Sequence, residues 1–192
     1  MGRQARIRQA QAVQTQTHGT YVCTVAWRQS EPEHVQSVIG LLTKGGGVRY
    51  HQKTGDALIE RARAIVATNF LLDQRIAECD VMVQIDSDIA FKAEDVHLIA
   101  QQARELRGIV CGLYPVRSRE RPWPATEVER GVRIDMASKE PVPVRYPATG
   151  FMAVHRDVIK ALADTVPLCH PGEAIQHYPM FNPFWDLDDN GV

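Results

Sequence analysis

The stretch Asp80-Val81-Met82-Val83-Gln84-Ile85-Asp86-Ser87-Asp88-Ile89-Ala90-Phe91 decides how the chain is read, because an apolar run ends abruptly in two carboxylates spaced i, i+2. Alternate residues of a strand face the same side. Being carboxylates, Asp86 and Asp88 cannot both lie in a core. Where a strand opens into a loop, a pair at this spacing can share one hard cation through oxygen ligands, and a cation so held can grip a diphosphate. The competing account of an isolated Asp-X-Asp is a strand end with turn-forming, helix-capping aspartates.

Working outward, the same run is one of several strand-like segments separated by helical ones. Tyr21 to Trp27 is β-branched and aromatic and reads as a first buried strand that opens into a polar loop at Arg28-Gln29-Ser30. Ser30-Glu31-Pro32-Glu33 supplies a helix start, with Ser30 as the cap, Pro32 in the first turn and Glu33 at the capping-box position. That helix runs to about Leu42 and stops at the glycines 45–47. Val48-Arg49-Tyr50 suits a short strand, and Thr54-Gly55-Asp56 opens a second helix through Ile65 to Leu72. After Asp88, Lys92 to Asp95 begins a helix whose Val96, Ile99, Ala100, Ala103 and Leu106 repeat at helical spacing. Gly108 to Tyr114 reads as a strand closed by Pro115, Ala148 to Val154 as a last strand, and Arg156 to about Ala163 as a last helix. Between them, 117–144 is dense in proline and charge, with short β-like pieces near Val132–Ile134 and Val142–Val144.

Strands separated by helices of this length imply an α/β fold, a largely parallel sheet covered on both faces with a small β-rich insertion. Ligands of such sheets bind beyond the carboxyl ends of the strands, where the loop after Trp27 and the Asp86-Ser87-Asp88 turn both lie. With 192 residues and 44% hydrophobic content, one core and one domain over 21–192 are expected, preceded by a flexible, Gln-rich lead-in over 1–20. Twenty-two basic residues against 23 acidic ones exert no bulk pull toward nucleic acid or an anionic membrane. No apolar run has the length of a membrane span and the N-terminus lacks the apolar segment of a secretory signal, which points to the cytoplasm. Cys23, Cys79, Cys111 and Cys169 form no Cys-X-X-Cys pair and are expected to be reduced and mostly structural.

In their order, the first strand and loop, the helix Glu60-Arg61-Ala62-Arg63-Ala64-Ile65, the Asp86-Ser87-Asp88 motif, the strand Gly108 to Tyr114 and the segment Thr149 to Asp157 resemble the nucleotide-diphospho-sugar transferases of the GT-A fold. The resemblance is to family 2 glycosyltransferases and their phage and bacterial relatives, and covers roughly Tyr21 to Ala163. It implies transfer of a sugar from a nucleoside diphosphate donor, a UDP-sugar first, to an acceptor hydroxyl. A bacterial or phage-infected cell is the implied setting. The implied cofactor is Mn²⁺ or Mg²⁺, held by Asp86 and Asp88 with His177 or His170 as candidates for a further ligand. The implied donor-binding residues are Trp27, Arg28, Arg63, Asp86, Ser87, Asp88 and Gly150.

Each of these assignments has a plainer alternative. Trp27 either stacks on a base or caps the core. Arg61 and Arg63, two apart on a helix, point in different directions, so at most one faces the site. Gly150 either lets a ligand approach the backbone or is an ordinary strand glycine. Arg117, Arg119 and Arg121 either meet phosphates or an anionic acceptor, or are solvated. The acceptor is open among glycan, protein, lipid-linked sugar and modified nucleic-acid base. Relatives continue into an acidic motif that supplies the base for inverting transfer. This chain is expected to end short of it, and Asp186, Asp188 and Asp189 are its last carboxylates, with Asp188 and Asp189 the catalytic candidates. Two other functions compete: a binding module that lacks the base, and a nucleotidyltransferase, against which stands the absence of glycine from Arg28-Gln29-Ser30.

Overall fold

The computed structural model describes residues 19–115, 127–128, 134, 139–170 and 175–181. The elements in chain order are β1 (Gly19–Ala26), α1 (Pro32–Lys44), β2 (Val48–Thr54), α2 (Ile59–Leu72), a 3-10 turn (Gln74–Ile76), β3 (Cys79–Asp86), α3 (Ala93–Leu106), β4 (Ile109–Cys111), β5 (Glu127–Val128), β6 (Val144–Tyr146), β7 (Phe151–His155) and α4 (Arg156–Ala163). They form a mixed α/β fold whose five-stranded sheet has the order β2-β1-β3-β7-β4. The β1 strand pairs parallel with both β2 and β3. The β7 strand runs antiparallel to β3 and to β4, so β4 points the same way as β3. A separate two-stranded antiparallel ribbon of β5 and β6 supplies a small β insertion at Glu127–Val128 and Val144–Tyr146, while 132–133 of the piece expected near Val132–Ile134 lie outside the described residues.

Strand alternation divides the core into two layers. Tyr21, Cys23, Met82 and Met152 face Ala62, Val66 and Phe70 of α2 and Ile159 of α4. Val22, Val83, Ile85 and Ala153 face Leu41 of α1 and Val96, Ile99 and Ala100 of α3. Every residue of β1 is buried, as a strand covered on both sides requires. The half-exposed β2, with Arg49 and Lys53, is an edge strand blunted by charge.

Several boundaries differ from the sequence reading for local reasons. Helix α1 is capped at Glu31 rather than Ser30, without a side-chain capping bond. The Ser30 hydroxyl instead accepts from Gln52 Nε2 at 3.2 Å. Helix α2 starts at Ile59 rather than directly after Asp56, because the Asp56 carboxylate accepts from Leu58 N and draws in Arg61. The β4 strand is only three residues long. Beyond it Gly112 lies so close to Phe151 that a Cβ would meet the ring at 2.4 Å, and the chain leaves the sheet. Leu106, the last member of the helical stripe on α3, is exposed. All four cysteines are free thiols, Cys23 and Cys79 buried. Among the described residues, no helix is long and apolar enough to cross a membrane.

Candidate functional site

Asp86 is the last residue of β3, and alternation puts its side chain on the α2 side of the sheet with Gln84. Its backbone is tied on both sides: Asp86 N donates to Gly150 O at 2.7 Å, and Ile89 N donates to Asp86 O at 3.1 Å to close the turn that carries Ser87 and Asp88. Arg63, projecting from α2, donates through Nη2 to Asp86 Oδ1 at 2.7 Å. Its side chain is 12% exposed and that of Asp86 31%, so the pair sits at the margin of the core and not in bulk water. Arg61 faces away and grips Asp56 through two bonds of 2.9 and 2.8 Å, which hold the Asp56 carboxyl below its usual range. Of the two arginines, Arg63 is the one at the site.

Gly150 has a specific reason to be glycine. A Cβ there would meet the Tyr114 hydroxyl at 2.4 Å and Asp86 Oδ2 at 2.9 Å. Gly150 N donates to that hydroxyl at 2.8 Å, and burial pushes the Tyr114 phenol up from its ordinary value. Tyr114, Gly150, Asp86 and Arg63 thus form one continuous polar chain across the carboxyl edge of β3. Tyr114 was not singled out by sequence reasoning. Its only sequence signal was an aromatic residue at a strand end just before Pro115.

Trp27 lies one residue past β1, 53% exposed, so it does not cap the core. With Glu31, Ile59, Asp86, Ser87 and Asp88 it lines an open depression of about 310 Å³. Arg28 is exposed in the same loop. Asp88 is exposed as well, within reach of a ligand entering the depression. A larger groove, about 1000 Å³, lies between α3, β4 and 139–147, and Tyr114 forms part of its wall.

His177 is placed elsewhere by its local structure. It forms an isolated bridge with Cys169, while its neighbour Tyr178 donates from N to Thr68 Oγ1 on α2 at 2.9 Å. Its ring lies 6.2 Å from that of His170, and burial holds it below the ordinary imidazole range. Among the described residues, no three His, Cys, Asp or Glu side chains gather to hold a metal, so Asp86, Asp88 and His177 are not a preformed three-ligand set. Asp86 and Asp88 by themselves suit an ion of the Mg²⁺ type, which keeps several waters and completes its shell with phosphate oxygens. Asp186, Asp188 and Asp189, and likewise Arg117, Arg119 and Arg121, lie outside the described residues.

No protein-family model and no curated protein matches the chain. Among solved structures, the chain is similar to 4-diphosphocytidyl-2C-methyl-D-erythritolsynthase from Anaerococcus prevotii, at 11% identity and a TM-score of 0.41, over 78% of this chain and 75% of that one. A likeness this distant bears on neither the ligand nor the reaction.

Proposed function

We propose that this chain binds a nucleoside diphosphate sugar, a UDP-sugar first, together with Mn²⁺ or Mg²⁺, and transfers the sugar to an acceptor hydroxyl. The observation that carries this reading is Asp86: a carboxylate at the end of a central strand, braced by Arg63 and backed by a glycine whose Cβ would strike it. Asp88 stands exposed beside it, and Trp27 lines the same depression. That combination suits a ligand with a flat base and a charged diphosphate, the base stacking on Trp27 and the phosphates lying toward the two aspartates.

In the reaction the acceptor oxygen bonds to the anomeric carbon and the bond from that carbon to the phosphate oxygen breaks. The nucleoside diphosphate leaves with the electron pair, and the acceptor hydroxyl loses its proton to a base. A bound divalent cation supplies Lewis-acid stabilisation of the charge that develops on the leaving diphosphate. Asp86 and Asp88 are the residues that would hold it. Arg63 orients Asp86 through its bond to Oδ1. Gly150 and Tyr114 shape the floor under the transferred sugar, and the groove walled by Tyr114 is the natural approach for the acceptor. The base is assigned to Asp188 or Asp189.

Calorimetric titration of UDP with and without Mn²⁺ tests the reading. Binding is expected to require the metal and to be lost in Asp88→Ala. Metal-independent binding, or binding unchanged in that variant, refutes it. Product analysis then identifies the reaction: free nucleoside diphosphate accompanies glycosyl transfer, whereas pyrophosphate means nucleotidyl transfer. Binding without turnover means a donor-binding module.

A further inference from the structure

We propose that the first turns of α1 clamp the loop 87–91 that carries Asp88, with His34 as the central positioning residue. The imidazole of His34 is 1% exposed and lies on the apolar face of its helix with Val38 and Leu41. A buried polar ring persists only where its nitrogens are satisfied. Here Nδ1 lies 2.8 Å from Ile89 O, and a carbonyl can only accept, so Nδ1 carries the proton. In the neutral ring Nε2 then accepts the Thr24 hydroxyl proton, at 2.9 Å. One side chain thereby ties strand β1, helix α1 and the loop after β3 together. The Phe91 ring packs edge-on against the same imidazole, with centroids 5.5 Å apart.

Two further bonds repeat the pattern along the helix. Glu31 N donates to Ser87 O at 2.8 Å. Phe91 N donates to Ser37 Oγ at 3.0 Å, and that hydroxyl spends its own proton on Glu33 O. Every third residue from Glu31 (Glu31, His34, Ser37) therefore meets every second residue of the loop (Ser87, Ile89, Phe91). Asp88 sits between two residues whose carbonyls are held, so these contacts fix the course of its backbone. A ligand that needs Asp88 in place then binds without first ordering this loop, which is the physical meaning of a preorganised site. The ligand-binding consequence rests on the transfer reading above. The clamp itself does not.

The test compares His34→Phe, which keeps a ring beside Phe91 but removes both bonds, with His34→Asn, whose amide can still donate near the place of Nδ1. Amide hydrogen exchange is read residue by residue, and Mn²⁺·UDP affinity is read by calorimetry. In His34→Phe, exchange at Ile89 and Phe91 is expected to rise about tenfold, as follows from leaving a buried carbonyl unpaired. The interiors of β3 and α3 should be unchanged, and Mn²⁺·UDP affinity should fall by a similar factor. His34→Asn should recover most of both. Should His34→Phe fail to fold, Ser37→Ala replaces it, with faster exchange expected at Phe91. Exchange that is unchanged at 87–91, or raised equally throughout the molecule, overturns the clamp. Local loosening with undiminished Mn²⁺·UDP affinity overturns its positioning role. A wild-type protein that binds no Mn²⁺·UDP refutes the transfer reading, while exchange in the variants relative to wild type still decides the clamp.

Discussion

At Gly150, three atoms of two side chains converge on the place where a side chain would begin. The Tyr114 hydroxyl would lie 2.4 Å from a Cβ, Tyr114 Cζ 2.7 Å and Asp86 Oδ2 2.9 Å. Gly150→Ala should therefore displace Tyr114 from its bond with residue 150 and cost about 1–3 kcal/mol, the range of overpacking. Urea unfolding would measure it. Tyr114→Phe in the same background should return part of the loss, because the hydroxyl is the atom struck. His177 allows a pH prediction. Burial holds its imidazole below the ordinary value and its Nδ1 has no hydrogen-bond partner among the described residues, so the unfolded chain binds the proton more readily than the folded one. The contribution of this group to stability should be fully present above about pH 6.5, the unperturbed imidazole value, and should be lost as pH falls from there through the depressed one. Melting temperature measured from pH 7.5 to 5 should show that decline, and His177→Gln should flatten it. Sequence spacing limited Arg61 and Arg63 to one at the site but could not choose between them. Asp56 chose, by pairing with Arg61 from the turn before the helix.

At the scale of elements, α2 is held to the sheet through Phe70, which is wholly buried and stacks on Tyr21 of β1 with centroids 5.7 Å apart. The Arg156 guanidinium lies 4.0 Å from the Phe70 ring centroid and donates to the carbonyls of Phe70, Ile76 and Cys79. One side chain from the start of α4 thus closes the ends of α2, the 3-10 turn and the entry to β3. Phe70→Ala should destabilise by about 3–5 kcal/mol, as for large core deletions. Arg156→Met should cost about 1–3 kcal/mol, through carbonyls left without a donor. Because both act at one joint, chemical denaturation of the double variant should show a loss smaller than the sum. The helices themselves were legible: the buried positions of α3 follow the 3.6-residue stripe read from Val96 to Ala103. The start of α1 was less so. Ser30 has the right chemistry for a cap, yet it is drawn to Gln52 of β2, a partner 22 residues away that local spacing cannot indicate.

For the whole molecule, the carboxyl edge of the sheet gathers Trp27 from the loop after β1, Asp86 from the end of β3, Asp88 from the turn after it and Gly150 from the turn before β7. A ligand that bridges these elements stabilises the fold by mass action. With UDP and Mn²⁺ at about a hundred times the dissociation constant, the expected gain is about 2.7 kcal/mol. A thermal shift should appear only with both present, and EDTA or Asp88→Ala should abolish it. The residues by themselves determined that the chain alternates strand and helix, which faces are buried and where the Asp86 and Asp88 pair falls, because side-chain periodicity and turn chemistry are local properties. Tertiary structure alone decided that β7 runs antiparallel between β3 and β4, and so brings Gly150 to Asp86 and Tyr114 to Gly150. Those pairings join residues far apart in the chain and depend on strand order and direction, which are set by how both faces of the sheet are covered at once and leave no periodic trace in any one segment.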